Sequence, residues 1–460
     1  MGRTRPGQAR TELARARIRL GLSQHDAAEA VGVSPTTWGR WERGGQNLRP
    51  AYRARIARLF AVDPLTVEQW LDGTDAARRS TGTALFPVAD FEEQLSPSTV
   101  DSFDHLWRSD MDPARRRALA SLPFVPAALG EWLSSAYDTP TRPVADRDSG
   151  LKVGRADVAR INEARQAFTR MDYAFGSRLV RPAIIDYLTT TVAPLLRGNY
   201  DDEVGVQLLI AAAGFTRLAG VTAYDLGHQG QAQRYLGQAL RLARAAEDPL
   251  TTAWVLTALT HQAIHLGHGA WAVRLSRAAA ETARRGHASP RTMALLLVRE
   301  AWATALHAKP AETGDRHTAK HIAHLLNEAE RSLDRDPTEQ DPAWIRRYEP
   351  TELHAEAARC LLLLGDHRRA ATFATEAVAE YRTRLPRSAQ LNAITAAEAH
   401  LAMGELEQAV TQARSMIPMT QALPSPRALD RLRAFTDQLT PYDSVQVREF
   451  RDYVNRQLAA

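Results

Sequence analysis

A single cysteine, Cys360, stands in 460 residues, so no internal disulfide can form. The expectation is a chain kept in a reducing compartment, with Cys360 as a small buried hydrophobe. Lysine is almost as scarce: Lys152, Lys309 and Lys320 are three of 58 basic residues, an arginine bias that reflects a GC-rich coding sequence rather than a mechanism. No stretch reads as the ~20 apolar residues that cross a bilayer. The opening MGRTRPGQARTELARARIRLG is charged throughout and lacks the apolar segment of a signal peptide. The expectation is therefore a soluble, cytoplasmic protein with no membrane partner. Also absent are G-x-x-x-x-G-K-[ST], G-x-S-x-G, H-E-x-x-H and paired cysteines, which removes the common nucleotide-binding, hydrolase and zinc-protease readings. Neither enzyme activity nor a cofactor is expected.

What is present is unevenly distributed. The length favours two or three domains. The net charge of +5 hides a basic head: residues 1 to 62 hold twelve arginines against Glu12, Asp26, Glu29 and Glu42, a net of +8, which leaves the rest of the chain at −3. A basic module on a mildly acidic body is the electrostatic pattern of a nucleic-acid-binding protein.

Within that head, QARTELARARIRL (residues 8 to 20) reads as a helix with Leu13 and Ala16 on one face and Gly21 at its end. Ser23 caps a short helix over Gln24 to Val31, and Gly32 with Val33 makes a tight turn. Ser34 caps a third helix with Pro35 at its first position, PTTWGRWER, ended by Gly44 and Gly45. Two short helices joined by such a turn form the DNA-reading motif, and the second enters the major groove. Arg40 can donate two hydrogen bonds to guanine O6 and N7, and Thr36 can offer a hydroxyl or a methyl to a base edge. The alternative for Arg40 is a phosphate contact or a solvated surface position. Trp38 and Trp41, three apart on one face, read as core rather than base-stacking residues.

GLSQHDAAEAVGVSPTTWGRWERG resembles the Cro and phage-repressor (XRE-type) helix-turn-helix, over residues 8 to 71 and including the following helices RPAYRARIARLFAV and PLTVEQWL. The resemblance implies that Gln24 contacts a phosphate and that Pro35, Thr36 and Arg40 face the bases. It also implies that Ser34, Thr37, Arg43 and Arg49 lie along the DNA, and that Arg17 and Glu42 form a structural ion pair. Ala27 and Trp38 depart from the family, which usually carries Leu at the first and Ile or Val at the second; a larger residue facing a smaller one can conserve core volume. Pro35 and Gly39 lack side-chain donors, so specificity is expected to draw on DNA shape as well.

Residues 73 to 155 read as a partly helical connector, with TPTRPVADRDSG (139 to 150) its most linker-like part. The arginines of DPARRRALASLPF could touch DNA or face solvent. Beyond it a pattern recurs, Gly followed five residues later by Ala: Gly227/Ala232, Gly267/Ala272, Gly314/Ala319, Gly365/Ala370 and Gly404/Ala409. Pro249, Pro290, Pro337 and Pro386 follow the first four glycines by 22, 23, 23 and 21 residues. Each repeat reads as a helical hairpin, turning at Gly, packed closely at Ala and ended by Pro. Some five to seven such hairpins would stack into a curved array. This resembles tetratricopeptide repeats, and the whole layout resembles actinobacterial regulators with a Cro-type head. The phrases that carry the likeness are AYDLGHQGQAQRYLGQALRLARAAEDP, HQAIHLG, LVREAWATAL and LLLLGDHRRAA.

The fold expected is thus all-α: a head at 1–72, a connector at 73–155, a repeat body at 156–440 and a final helix at 441–460. That last helix carries Val447, Phe450, Val454 and Leu458 on one face and would cap the array or a dimer. Arg299, Glu300, Glu352 and Glu356 interrupt apolar helices; they would line a ligand groove or form buried ion pairs between repeats. His261, His265 and His268, like His317, His321 and His324, have metal-like spacing, but no local acid or cysteine completes either set, and no metal is expected. The partners expected are double-stranded DNA, a second copy of the chain, and a peptide, small-molecule or protein effector at the body. Its rivals are a signal receptor with DNA binding as its output and a protein-interaction scaffold with a vestigial head.

Overall fold

The computed structural model describes residues 13, 14, 16, 17, 22–43, 50–60, 67, 100–135, 150–308, 316–335, 338, 341–423 and 425–459. Among these the regular structure is helical, with a single isolated bridge between Lys152 and Asn199. The chain divides into two compact units, residues 1–95 with 125–138 and residues 96–124 with 139–460.

The first unit contains α1 (Gln24–Val31), α2 (Pro35–Glu42) and α3 (Pro50–Phe60). The start of α1 is set by a reciprocal cap: the Asp26 amide donates to Ser23 Oγ at 3.2 Å, and the Ser23 amide donates to Asp26 Oδ2 at 2.8 Å. It ends on Gly32 at φ 76°, a left-handed conformation that a side chain would strain. Ser34 Oγ accepts from the Thr37 amide at 3.2 Å and starts α2. Leu13, Ala27, Trp38, Trp41 and Ile56 form a core that excludes water almost completely. Of PLTVEQWL only Val67, fully buried, is among the described residues. Helix α6 (Pro126–Ser135) groups with this unit.

The second unit opens with α4 (Val100–Met111) and α5 (Pro113–Ala120), then α7 (Arg155–Phe175) and α8 (Ser177–Tyr187). Helix α8 runs through a π-helical stretch, Leu188–Val192, into α9 (Ala193–Leu196). The wide turn fits its chemistry: Pro194 has no N–H, and the Thr189 and Thr190 hydroxyls donate back to the Ile185 and Asp186 carbonyls at 2.9 and 2.8 Å. Five hairpins follow: α10 (Asp202–Asp225) with α11 (Gln229–Ala245), α12 (Pro249–His265) with α13 (Gly269–Arg285), α14 (Pro290–Ala308) with α15 (Arg316–Leu333), α16 (Pro350–Leu364) with α17 (His367–Arg384), and α18 (Pro386–Ala402) with α19 (Leu406–Ala422). Helices α20 (Pro426–Gln438) and α21 (Val445–Ala459) complete the unit.

The hairpin turns obey one rule. Gly227, Gly267, Gly365 and Gly404 all have φ between 76° and 82°, and Ala232, Ala272, Ala370 and Ala409 have no exposed surface. The third repeat differs: Gly314 lies outside the described residues, and Ala319 is exposed, the buried face of α15 being carried by Ile322, Leu325 and Leu326 instead. The prolines also act differently from the expectation that they end each second helix. Pro249, Pro290 and Pro386 occupy the first turn of the next hairpin, where the missing N–H has no partner to lose; Pro337 is outside the described residues.

One expected boundary is corrected. Residues 100–124 are not a connector but part of the body: Phe103, Trp107 and Leu122 lie in one core with Ile184, Phe215 and Tyr235. The link is also ionic. Asp110, 1 % exposed, accepts from Arg181 Nη2 at 2.5 Å and from the Tyr235 hydroxyl at 2.8 Å, while Arg181 also donates to the Ala219 carbonyl and to Thr222 Oγ1. In the DPARRR segment, Asp112 caps α5, Arg116 Nε donates to the Asp110 carbonyl at 2.7 Å, and Arg115 and Arg117 face solvent. The final helix packs on the end of the array, one of the two placements expected for it. Val447, Phe450 and Val454 are buried with Leu432 and Phe435 of α20 and Ile417 of α19.

Within the body the first helices of successive hairpins lie side by side, from α10 through α12, α14 and α16 to α18, and α7 touches both α10 and α18. The circuit is closed by charge. Arg387 at the start of α18 reaches Asp172 of α7 (Nη1 to Oδ2, 3.3 Å) and Asp225 of α10, and Arg427 of α20 reaches Asp225 at 3.2 Å. The segments Ser177–Leu196 and Asp202–Asp225 are long and apolar enough to cross a membrane by length and composition, contrary to the reading of the bare sequence. Within the body, 50 % and 72 % of those windows are buried, as core helices require.

Removing Asp110 would leave Arg181 buried without its carboxylate. Asp110→Ala should destabilise the body by about 3–5 kcal/mol in urea unfolding, and Tyr235→Phe by about 0.5–1.5 kcal/mol. Equal, small losses for both would show that the pair does not hold α4 to the body.

Candidate nucleic-acid interface

In α2, buried and exposed positions separate cleanly. Trp38, Trp41 and Glu42 point inward, whereas Ser34, Pro35, Thr36, Arg40 and Arg43 are exposed and Thr37 is half-buried. Residues 36, 40 and 43 recur at the four- and three-residue spacing of one helix face, so the outward surface is continuous.

The inward side is organised by one carboxylate. Glu42, 7 % exposed, accepts from Arg17 Nε at 2.6 Å and Nη2 at 3.3 Å, from Trp38 Nε1 at 2.7 Å and from Gln24 Nε2 at 2.7 Å. Arg17 also donates to the Leu22 carbonyl at 2.8 Å. A single group thereby ties the segment before α1, the first residue of α1 and both turns of α2. Burial pushes the Glu42 carboxyl up, but the hydrogen bonds from Arg17, Trp38 and Gln24 outweigh it and hold the group below the usual carboxylate value. The i, i+4 spacing of Trp38 and Glu42 puts both on one helix face, which is the sequence signal that could have revealed their bond.

This geometry alters the part read for Gln24. Its amide nitrogen is turned to Glu42, and its Oε1 lies beside Gly39, 3.3 Å from where a β-carbon there would stand. A phosphate needs donors, so Gln24 could serve one only with the second hydrogen of that nitrogen. The Arg43 guanidinium covers Gly39 as well, its Nη1 3.2 Å from the same point; glycine at 39 lets both side chains lie against the helix. Ser34 Oγ and Thr37 Oγ1 share a hydrogen bond of 2.9 Å, which couples the cap to the first turn of α2. Arg55 of α3, not singled out from the sequence, donates to the Val31 carbonyl at 3.2 Å and supports the end of α1. Trp38 and Trp41 sit 6.0 Å apart, with Phe60 and Tyr52 against them. Arg49 lies outside the described residues.

In the body, the four residues read as a groove or as ion pairs do not meet in one place: Arg299 and Glu356 form an ion pair between repeats, the alternative to a groove, and Glu300 and Glu352 find other partners. Arg299 and Glu356 form a two-pronged ion pair, with Nη2 to Oε1 at 2.5 Å, while Glu300 turns to Arg277 of α13 at 3.4 Å. Glu352 caps α16 by accepting the Glu349 amide at 2.9 Å and pairs with Arg384. Adjacent residues on a helix point ~100° apart, so Arg299 and Glu300 cannot share one wall. Among the histidines, His268 stacks on Phe124 at 5.2 Å, and His261 lies against Tyr224 and Trp302. His324 pairs with Glu328 at 3.5 Å. Cys360 has no exposed surface, and burial pushes its thiol up to about 12, which makes it unreactive.

The Glu42 arrangement has a pH signature. A carboxyl whose value falls on folding contributes stability above its unfolded value and loses it as pH falls through its folded one. Glu42→Gln should therefore weaken the head by about 1–3 kcal/mol near neutrality, read from hydrogen exchange of the α1 and α2 amides, with the gap to wild type closing below about pH 4. A gap that stayed constant down to acid pH would count against the carboxylate as the organising group.

Comparison with known proteins bears on the same segment. No curated protein matches the chain. Residues 8–70, which hold the Glu42 cluster and the exposed face of α2, match the family described as helix-turn-helix domain.

Proposed function

We propose that the chain is a sequence-specific transcription regulator of the Cro and phage-repressor (XRE) type, acting in the cytoplasm as a homodimer and without enzymatic activity. Its body is read as tetratricopeptide-like, as in actinobacterial regulators, and as the part that spaces two heads and takes an effector. The observation that carries the DNA reading is the face of α2 that offers Thr36, Arg40 and Arg43 to solvent while Glu42 and both tryptophans anchor the opposite face. The helix-turn-helix match over residues 8–70 supports it, as does the excess of arginine there.

In this reading α2 lies in the major groove with its first turn toward the bases. Arg40 reads a guanine, Thr36 a neighbouring base edge, and Arg43 and Thr37 sit against phosphates, with Arg49 beyond them. Two heads would engage half-sites about one helical turn apart.

Selection from a genomic fragment library gives the test. Arg40→Ala should reduce discrimination between the selected site and a scrambled one by about 10- to 150-fold, the equivalent of ~1–3 kcal/mol. Arg43→Ala should weaken binding to both alike and make the salt dependence shallower by about one phosphate contact. If Arg40→Ala instead weakens every sequence equally, Arg40 holds the backbone. If wild type selects no site at all, sequence-specific recognition is wrong.

A further inference from the structure

The circuit of first helices in the body carries arginines that its own carboxylates do not neutralise. Arg299 is matched by Glu356, Arg387 by Asp172 and Asp225, Arg427 by Asp225, and Arg431 by Glu398. Arg165 of α7, Arg217 of α10 and Arg359 of α16 have no ion-pair partner among the described residues, and all three are at least half-buried by their surroundings.

Arg165 and Arg217 converge on one indole. The Arg217 guanidinium carbon lies 4.1 Å and that of Arg165 5.3 Å from the Trp254 ring centre, and Arg217 Nε donates to the Trp254 carbonyl at 3.3 Å. Trp254 is itself braced by Trp344, stacked at 5.2 Å and 8°. Gly214 makes the crowding possible: a β-carbon there would stand 3.2 Å from both Arg165 Cδ and Trp254 Cζ3. The place is thus built, with two like charges held side by side against an aromatic wall. Arg165 and Arg217 are each only partly covered, so both guanidinium-bearing side chains keep some surface open. Arg359 is set over Trp302 at 5.4 Å, and the charge of Arg299 acts on both Arg217 and Arg359.

Burying like charges together costs stability unless something opposite in sign joins them. Burial and the neighbouring arginines hold the Arg217 guanidinium down to about 9 and that of Arg359 down to about 10, far below the usual arginine range. A site that pays this penalty when empty recovers it when an anion arrives.

We propose that the Arg165–Arg217 pair on Trp254 is the binding site of a small polyanion carrying phosphate or carboxylate groups. Guanidinium forks match both groups in two-pronged geometry, and Trp254 holds the forks in place. The assignment rests on reading the body as the effector-binding part, but its readout is anion binding and not DNA binding, so a failure of DNA binding would leave it standing.

The full chain would be titrated with sodium pyrophosphate and, separately, with sodium citrate, following its melting temperature and heat of binding against sodium chloride of equal ionic strength. Saturable stabilisation by at least one of the two is expected. A response to pyrophosphate alone would point to a phosphorylated ligand, and a response to citrate alone to a polycarboxylate. Arg165→Gln and Arg217→Gln should each weaken the apparent Kd at least tenfold, whereas Arg155→Gln, at an exposed pair with Glu203, should not change it. Without anion, Arg217→Gln should melt above wild type, because an uncompensated charge is gone. The proposal is overturned if neither anion acts beyond the salt control, if the variants bind as wild type does, or if Arg217→Gln melts lower and still responds.

Discussion

Arg387 is the closure of the body. Residues 172 and 225 come from the first part of the repeat array, and the guanidinium that joins them comes from the start of its last hairpin, 215 and 162 residues further on. Ser177 and Arg427 complete the set, the first donating to Asp172 Oδ1 at 2.6 Å and the second meeting Asp225 while lying 4.7 Å from the Tyr224 ring centre. Hairpins that touch only their neighbours could stack to any curvature. A buried charge cluster admits only the curvature at which its members meet, since each left alone would be an uncompensated ion.

The head uses the same device at smaller scale. Glu42 is a buried carboxylate whose donors come from three places in the chain, and the bonds that hold it also fix the orientation of α2 against α1. With that orientation fixed, the exposed face of α2 has one defined direction relative to α1. Trp38 takes part twice, as a large core side chain and as a donor to Glu42, which explains how a tryptophan can stand where the resemblance leads one to expect an aliphatic residue.

Asp110 repeats the pattern between α4 and the hairpins, joined to Arg181 and Tyr235 across 71 and 125 residues. Buried carboxylates with two or more donors thus mark the places where distant segments are fastened. Arg165, Arg217 and Arg359 stand apart from that pattern, with no carboxylate paired to them among the described residues.

Much of this was legible in the residues alone, and for a local reason. Ser23, Gly32, Ser34 and Pro35 define the two helices and the turn of the head through caps and a left-handed glycine, each decided within four residues of chain. Four of the five glycine-alanine pairs place turns and buried contacts in the same way. What depended on distant partners was not legible. The sequence could not say that Ala319 is exposed, that Asp110 draws residues 100–124 into the body, that Arg299 finds Glu356 while Glu300 turns to Arg277, or that Gln24 faces Glu42. Helix caps and periodicity act over one or two turns, so the sequence by itself determined the helices and their punctuation. The pairing of charges over tens to hundreds of residues depends on which helices meet, and only the tertiary structure decided that.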